Sequence, residues 1–454
     1  LGKPRGRRAR QKSNEAMSQF SNKTVMVVDS GLFFSLALRL AKDFGRVLFF
    51  SEWDSACPSL GEVAAGDGFG EVERVRDFWA NDPVTKKRLI DAVDLFIFPN
   101  LGNEGVQDYL QALGKNVWGN RNGGRLEQNR EYLLRLQSEL KIDVPGYKVV
   151  VGMENLRAHL KAVEDKWIKI SFYRNDCETF HHQSYEQSRA ELDALALKWG
   201  DLQDMIRFVV CDTIKTDIET GGDFICIDGK FADHAVLGFE KKNRCYLATI
   251  KPYGEISERV TGINAKLAPT LREYGYRNFI SSEIRIYKDK DYLIDITNRA
   301  GFPSGYSQFN LYANLPEIFW NGAQGKLVPV KPAAKFCVEA IIAHKGDKTH
   351  WRNIRLPDEV MLNVNLICPV KLDDNLYAIP PLSDSTHIIG SVCGTGNTVE
   401  EAMKAVDAVV EKIKDNEISV DTEALYDLIK EAEESKKHGI DFAKKLPKPE
   451  AVLT

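Results

Sequence analysis

Two carboxylates, Glu283 and Asp295, stand twelve positions apart in a segment that alternates charged with apolar residues. The runs 283–287 and 292–297 flank the polar stretch Lys288-Asp289-Lys290-Asp291, the pattern of a β-hairpin. Side chains alternate along a strand, so Glu283, Arg285 and Tyr287 share one face of the first run. Asp295, Thr297 and Arg299 share one face of the second and its exit. Hard oxygen donors beside an arginine suit a divalent cation that carries phosphate. Mg²⁺ characteristically takes one or two protein carboxylates and completes its shell with substrate phosphates and water. The competing reading is a solvated face of an edge hairpin.

Further upstream, Lys166-Trp-Ile-Lys169-Ile-Ser171 reads as a strand in which Lys169 points away from Ile168 and Ile170. The polar loop after it carries Arg174 and Thr179 and leads into a second strand. A loop of this kind beside a lysine can cover phosphates. Before it, Arg125-Leu-Glu127-Gln-Asn-Arg130 opens an amphipathic helix that stops ahead of Val144-Pro145-Gly146. After it, the apolar run 208–211 passes into Asp212 and on through Ile214 to Glu219, with a hairpin signal at Asp228-Gly229.

These groups need elements to position them. Between residues 24 and 118, short apolar strands (24–29, 46–50, 94–98, 115–118) alternate with helical stretches, which predicts a parallel, Rossmann-like sheet. Ligands of such a sheet sit beyond the strand C-termini, near Asp29–Gly31, Ser51–Asp54 and Asn100–Glu104. No GxGxxG follows the first strand, which argues against a dinucleotide-dependent dehydrogenase. Beyond residue 331, strands are expected at 337–342 and 359–368. A third, at 386–393, ends in Gly394-Thr-Gly396-Asn397-Thr398 and a helix whose start, Thr398-Val-Glu-Glu401, is a capping box. Residues 419–438 read as a terminal amphipathic helix.

The chain has 454 residues, enough for about three domains. Hydrophobic content of 43% and charged content of 28% are those of a globular protein, and a net charge of −4 argues against nucleic acid as a partner. No apolar run is long enough to span a bilayer. Eight cysteines are scattered singly with no CxxC, which fits reduced thiols in a cytoplasmic setting rather than a zinc site or a disulfide framework. Six of the first twelve residues are Lys or Arg. Residues 1–23 are read as a disordered basic extension, with 1–16 an added or upstream segment and a nucleic-acid-binding arm as the alternative.

These segments, in this order, resemble the ATP-grasp superfamily of carboxylate–amine and carboxylate–thiol ligases. The resemblance covers nearly everything after residue 24. The turn Gly394-x-Gly396 running into Thr398-x-Glu-Glu401-Ala resembles the phosphoribosylamine–glycine ligase branch. It implies a multidomain α/β and α+β architecture: a Rossmann-like domain at 24–124, a two-subdomain ATP-grasp core at 125–330 and a small C-terminal α/β domain at 331–454. It also implies ATP with Mg²⁺ or Mn²⁺, small carboxylate and amine substrates, and an acyl-phosphate intermediate with release of ADP and phosphate.

By the resemblance, Glu283, Asp295 and Thr297 would hold the metal. Arg130, Lys169, Ser171 and Thr179 would meet the phosphates, and Arg174 would lie in the covering loop. Asp212 and Glu219 would take the ribose, and Arg299 the transferring phosphoryl group. The family's second acidic strand ends Glu-x-Asn-x-Arg; here it reads Asp295-Ile-Thr297-Asn298-Arg299, so Thr297 replaces the usual Asn and Asn298 stands one position off. Ala300 and Phe302 also depart from the glycine-ligase pattern. The competing readings are a ligase with another acceptor, such as an amino acid or a modified nucleotide, and a nonenzymatic binding protein of the same fold.

Overall fold

The computed structural model describes residues 18–51, 64–172, 179–216, 218–345, 351–381, 387–414, 417–444 and 446–447. In chain order the strands begin with β1 (Thr24–Val28), β2 (Arg46–Phe50), β3 (Glu73–Val75), β4 (Leu95–Ile97) and β5 (Asn116–Trp118). They pair in the order β3-β2-β1-β4-β5, all parallel. Parallel strands are covered on both faces, so β1 is apolar on both. Val25 and Val27 face the main core, and Met26 and Val28 face a second cluster with Leu48, Phe96 and Leu110. β3 lies outside the four strands expected from the sequence; at Glu-Arg-Val it is too short and polar to show a pattern.

A four-stranded sheet follows: β6 (Tyr147–Val151), β7 (Lys166–Ile170), β8 (Thr179–His182) and β9 (Arg207–Asp212), ordered β6-β9-β7-β8. One face has its own core, with Ile168, Ile170, Phe208 and Val210 against Leu156 and Leu192 of two covering helices. Trp167, Val209 and Cys211 pack with Leu134 on the other face. The amphipathic helix expected from Arg125 is broken in two, 125–128 and 130–139, because Asn129 leaves helical geometry and its side chain accepts the Tyr132 N–H.

The largest sheet contains β10 (Ile218–Ile227), β11 (Lys230–Phe231), β12 (His234–Lys241), β13 (Cys245–Pro252), β14 (Arg277–Tyr287), β15 (Lys290–Thr297) and β16 (Phe336–His344). The chain continues through β17 (Arg352–Arg355), β18 (Val364–Leu366), β19 (Val370–Asp373), β20 (Leu376–Ile379), β21 (Ile388–Gly396) and β22 (Ile418–Val420). The order β15-β14-β10-β12-β13-β16-β21-β18 runs without a break, with β22 on β16, while β17, β20 and β19 form a small separate sheet. Antiparallel pairing of β13 with β16 therefore carries one sheet across residue 331.

Two C-terminal elements differ from expectation. The stretch 359–368 makes only the three-residue strand β18 after a 3₁₀ turn at Asp358–Val360. The terminal helix begins at Leu425, because Ile418–Val420 pairs with β16 instead. The capping box forms in part: Thr398 Oγ1 accepts the Glu401 N–H at 3.1 Å, but the Glu401 carboxylate reaches one residue past the N-cap and accepts the Asn397 N–H at 2.7 Å. Among the described residues no helix is long and apolar enough to cross a membrane.

Candidate functional site

The hairpin β14–β15 turns on Lys288-Asp289 alone, with Tyr287 paired to Lys290, so it is tighter than the four-residue turn expected. Regular pairing from that turn would place Ile294 opposite Glu283 and send Asp295 into the core. The register instead shifts between Glu283 and Ile284, so that Ile284 faces Leu293 while Glu283 faces Asp295. A bulge inserts one unpaired residue and re-aims those beyond it. Ile294 is that residue, and its carbonyl accepts the Lys169 ammonium at 2.7 Å. The bulge thus brings Asp295 to Glu283 and docks β7 of the small sheet on the large one.

Two cavities meet at this carboxylate pair. One, of about 390 Å³, lies between the small sheet, the helix Arg130–Glu139 and the hairpin; Leu133, Leu134, Trp167, Cys211 and Leu293 supply apolar walls, and Arg130, Lys169 and Thr179 polar ones. The other, of about 680 Å³, lies over β10, β12 and β14 and includes Asp223, Lys242, Tyr246, Ser281, Thr297 and Arg299. Glu219, Glu240, Lys242, Glu283 and Asp295 border both.

Strand register explains the shared face. Glu219 pairs with Arg285, Gly221 with Glu283 and Asp223 with Ser281. The carboxylates of Glu219, Glu283 and Asp295 therefore crowd together. Glu283 opens onto the cavities but sits deep in the protein. Burial, then the hydrogen bond and charge of Glu219, then Asp295 hold its carboxyl well above the ordinary range, against the pull of Lys169. Burial also works to raise Glu219, but the hydrogen bond with Glu283 and the Arg285 and Lys169 cations outweigh it, and its pKa ends low. The two carboxyls are therefore pushed in opposite directions, Glu283 up and Glu219 down. A divalent cation relieves such crowding, so the donor set fits one. Among the described residues no group of three or more His, Cys, Asp or Glu is arranged to hold a metal unaided.

The remaining expected residues divide as follows. Arg130 is buried at the start of its helix, donating to the Ile170 carbonyl at 3.2 Å and lying 3.6 Å from Asp295. Thr179 pairs with Lys169 across β7–β8 and faces the smaller cavity. Thr297 faces the larger one. Asn298 points the other way and is fully buried, its backbone N–H donating to Glu127, so it does not stand in for the family's Asn. Arg299 lines the larger cavity, held by buried Glu127 at 3.2 Å.

Ser171 is buried just past the end of its strand and lines neither cavity; its backbone N–H donates to the Arg207 carbonyl at 2.9 Å. Asp212 borders the smaller cavity with its carboxylate bound to Lys166 at 2.7 Å. Arg174 lies outside the described residues. The Gly394–Thr398 turn lines neither cavity: a Cβ on Gly394 or Gly396 would strike the backbone of the following helix, so these glycines serve strand–helix packing.

Sequence reading missed three groups. Glu127 anchors both Arg299 and the backbone of Asn298. Glu240 and Lys242 stand at the end of β12 at the junction of the cavities; only the alternation Gly238-Phe-Glu240 could have pointed there. Asp223 is buried and accepts hydrogen bonds from the hydroxyls of Tyr246 and Ser281. Burial raises its pKa against those bonds.

No family model matches the chain, and no curated protein matches it. Solved structures do. A phosphoribosylamine–glycine ligase from Thermotoga maritima is 16% identical, with 87% of this chain and 97% of that chain covered, at a TM-score of 0.60. The biotin carboxylase domain of the Hydrogenobacter thermophilus 2-oxoglutarate carboxylase, solved with MgADP, ADP and bicarbonate, is 13% identical, with 94% and 96% covered and a TM-score of 0.60. A carboxyaminoimidazole ribonucleotide synthase from Aspergillus clavatus, complexed with ATP, is 14% identical, with 87% and 99% covered and a TM-score of 0.53. At these identities the likeness is one of fold: the chain has the multidomain ATP-grasp fold.

Proposed function

We propose that the protein is an ATP-dependent ligase that activates a carboxylate as an acyl phosphate and joins it to an amine, releasing ADP and phosphate. The observation that carries this reading is the placement of Glu283 and Asp295 at the junction of two cavities, one apolar-walled and cation-lined, the other polar. Phosphoryl transfer is mostly positioning and neutralisation of charge, and such a junction is where the γ-phosphoryl group must pass.

The smaller cavity takes the nucleotide, its base among Leu133, Leu134, Trp167, Cys211 and Leu293. Arg130 and Lys169 neutralise phosphate oxygens, and Thr179 donates from the strand beside them. Glu219 and Asp212 flank the ribose end. Glu283, Asp295 and the Thr297 hydroxyl would hold Mg²⁺, which would supply neutralisation of the charge on the transferring phosphate. Arg299, fixed by Glu127, faces the phosphoryl group as it moves to the carboxylate in the larger cavity. The carboxylate oxygen forms a bond to the γ-phosphorus as the bond to the ADP oxygen breaks. The amine nitrogen then attacks the acyl carbon and phosphate leaves.

Phosphorus NMR of Mg·ATP incubated with the protein and panels of carboxylic acids and amines tests this reading. ADP and phosphate, formed only when an acid is present, are expected. Pyrophosphate would mean adenylation and overturn it.

A further inference from the structure

The larger cavity borders carboxylates out of proportion to cations. Seven of its lining residues are Asp or Glu, against Lys242 and Arg299. Glu219, Glu283 and Asp295 belong to the nucleotide and metal end. Asp223 is spent on Tyr246 and Ser281. Three remain: Glu240 from β12, at the junction with the smaller cavity, and at the far end Glu431 and Glu434 from the terminal helix Leu425–Glu434, which closes the cavity from above. Glu431 is bound to Lys241 at 2.6 Å and Glu434 lies 3.6 Å from Lys437. Among the described residues, no hydrogen bond or ion pair engages the Glu240 carboxylate.

Glu240 lies on the open face of the sheet. β12 pairs with β13 so that Glu240 opposes Tyr246, and with β10 so that Val236 opposes Asp223; alternation then puts Glu240 on the side of Asp223 and Glu219. Between them the floor is bare backbone at Gly221 and Gly238.

We propose that this cavity selects a cationic, unphosphorylated amine as acceptor, and that Glu240 takes the proton the amine must lose before it attacks. The proposal rests on the ligase reading above and adds the acceptor's chemical class. Arg299 and Lys242 suffice for one substrate carboxylate. A phosphorylated amine would bring two more negative charges to a wall that already carries an excess of them. The helix N-terminus that could have met a phosphate, at Val399, is closed by its own capping box and lines neither cavity.

The step balances. The ammonium gives one proton to the Glu240 carboxylate. The freed nitrogen lone pair forms the C–N bond at the acyl carbon, the C–O bond to phosphate breaks, and phosphate leaves with that electron pair and the second nitrogen proton. A base for this step works best with a pKa near the working pH. The Glu240 side chain opens into the cavity and is solvent-accessible there; withdrawal of bulk water by the cavity walls, followed by the charge of Asp223 from β10, pushes it up to about 7, with Lys242 opposing the shift and Glu219 adding to it. The cavity's other charged groups are Glu283 and Asp295 of the hairpin, Arg299 at its exit, and Glu431 and Glu434 of the helix above.

The test is calorimetry on the full chain loaded with Mg·ADP, titrated with 1,4-diaminobutane and, separately, with phosphoethanolamine. The diamine is expected to bind and phosphoethanolamine not to. Glu240→Gln, checked for an unchanged melting temperature, is expected to weaken the diamine by about tenfold or more. Diamine affinity in the wild type should fall as pH drops from about 8 to 6, as Glu240 becomes protonated, and the profile should flatten in Glu240→Gln. Preference for phosphoethanolamine, or equal diamine affinity and pH profile in the two proteins, overturns the proposal. Failure to bind Mg·ADP at all would instead remove the ligase reading beneath it.

Discussion

Lys169 shows how much of this site depends on single contacts. Its ammonium, at 2.7 Å from the Ile294 carbonyl, lies within electrostatic reach of Glu219 and Glu283, so it is poised between the hairpin and the space assigned to phosphate. Removing it in Lys169→Ala deletes one charge-assisted contact to the nucleotide. ATP affinity should drop by about 2–3 kcal/mol, roughly 30- to 150-fold in Kd. Titration calorimetry checks this, and equal affinity in the two proteins would take Lys169 out of the nucleotide site. The residue types at positions 169, 283 and 295 were legible in the sequence because strand periodicity places a lone lysine or carboxylate on the face opposite its apolar neighbours. Asp212 and Glu219 were named for the ribose by the resemblance, but their engagement with Lys166 and Arg285 was not legible. Such ion pairs join strands, and their partners lie 46 and 66 residues away.

At the scale of elements, the open face of the large sheet is built by what it lacks as much as by what it carries. Tyr246 reaches Asp223 by lying across Gly238, where a Cβ would collide with the tyrosine ring and hydroxyl. Gly238→Ala must push Tyr246 off Asp223 or distort β12. A cost of about 1–3 kcal/mol is expected from overpacking, together with loss of turnover. Thermal melts and product assays measure the two, and an alanine variant as stable and active as wild type would show that the tyrosine's reach is dispensable. The hairpin carries a related lesson. Its existence was readable from alternation and a polar turn, but the Ile294 bulge was not, and without it Asp295 would face the core. Bulges arise from how a strand fits its neighbours, here from the demand of β7 for a carbonyl at Lys169, and the hairpin's own residues do not announce them.

For the whole molecule, the uninterrupted sheet through β13 and β16 makes the C-terminal third part of the same structure as the site. It also brings the helix Leu425–Glu434 over the larger cavity. A chain ending at residue 331 would expose the edge of β13, with Leu247 and Ala248 buried beside it in the intact fold. Such a truncation is expected to aggregate rather than to give a smaller active enzyme, because a long apolar edge invites pairing. Size-exclusion chromatography of the truncated chain decides this, and a monodisperse, ATP-binding fragment would show the two segments to be independent.

By itself the sequence determined the alternation of strands and helices, the parallel N-terminal sheet, the acidic hairpin and the strand lysine. All follow from local periodicity and turn chemistry, which act over a few residues. Tertiary structure alone decided that Asn298 is buried and Thr297 is not, and that Gly394 and Gly396 pack a helix rather than meet a ligand. It also decided that Glu127 holds Arg299 and that Glu240 faces the site. Each of these depends on which strand lies beside which, and on a one-residue shift of register that turns every later side chain over.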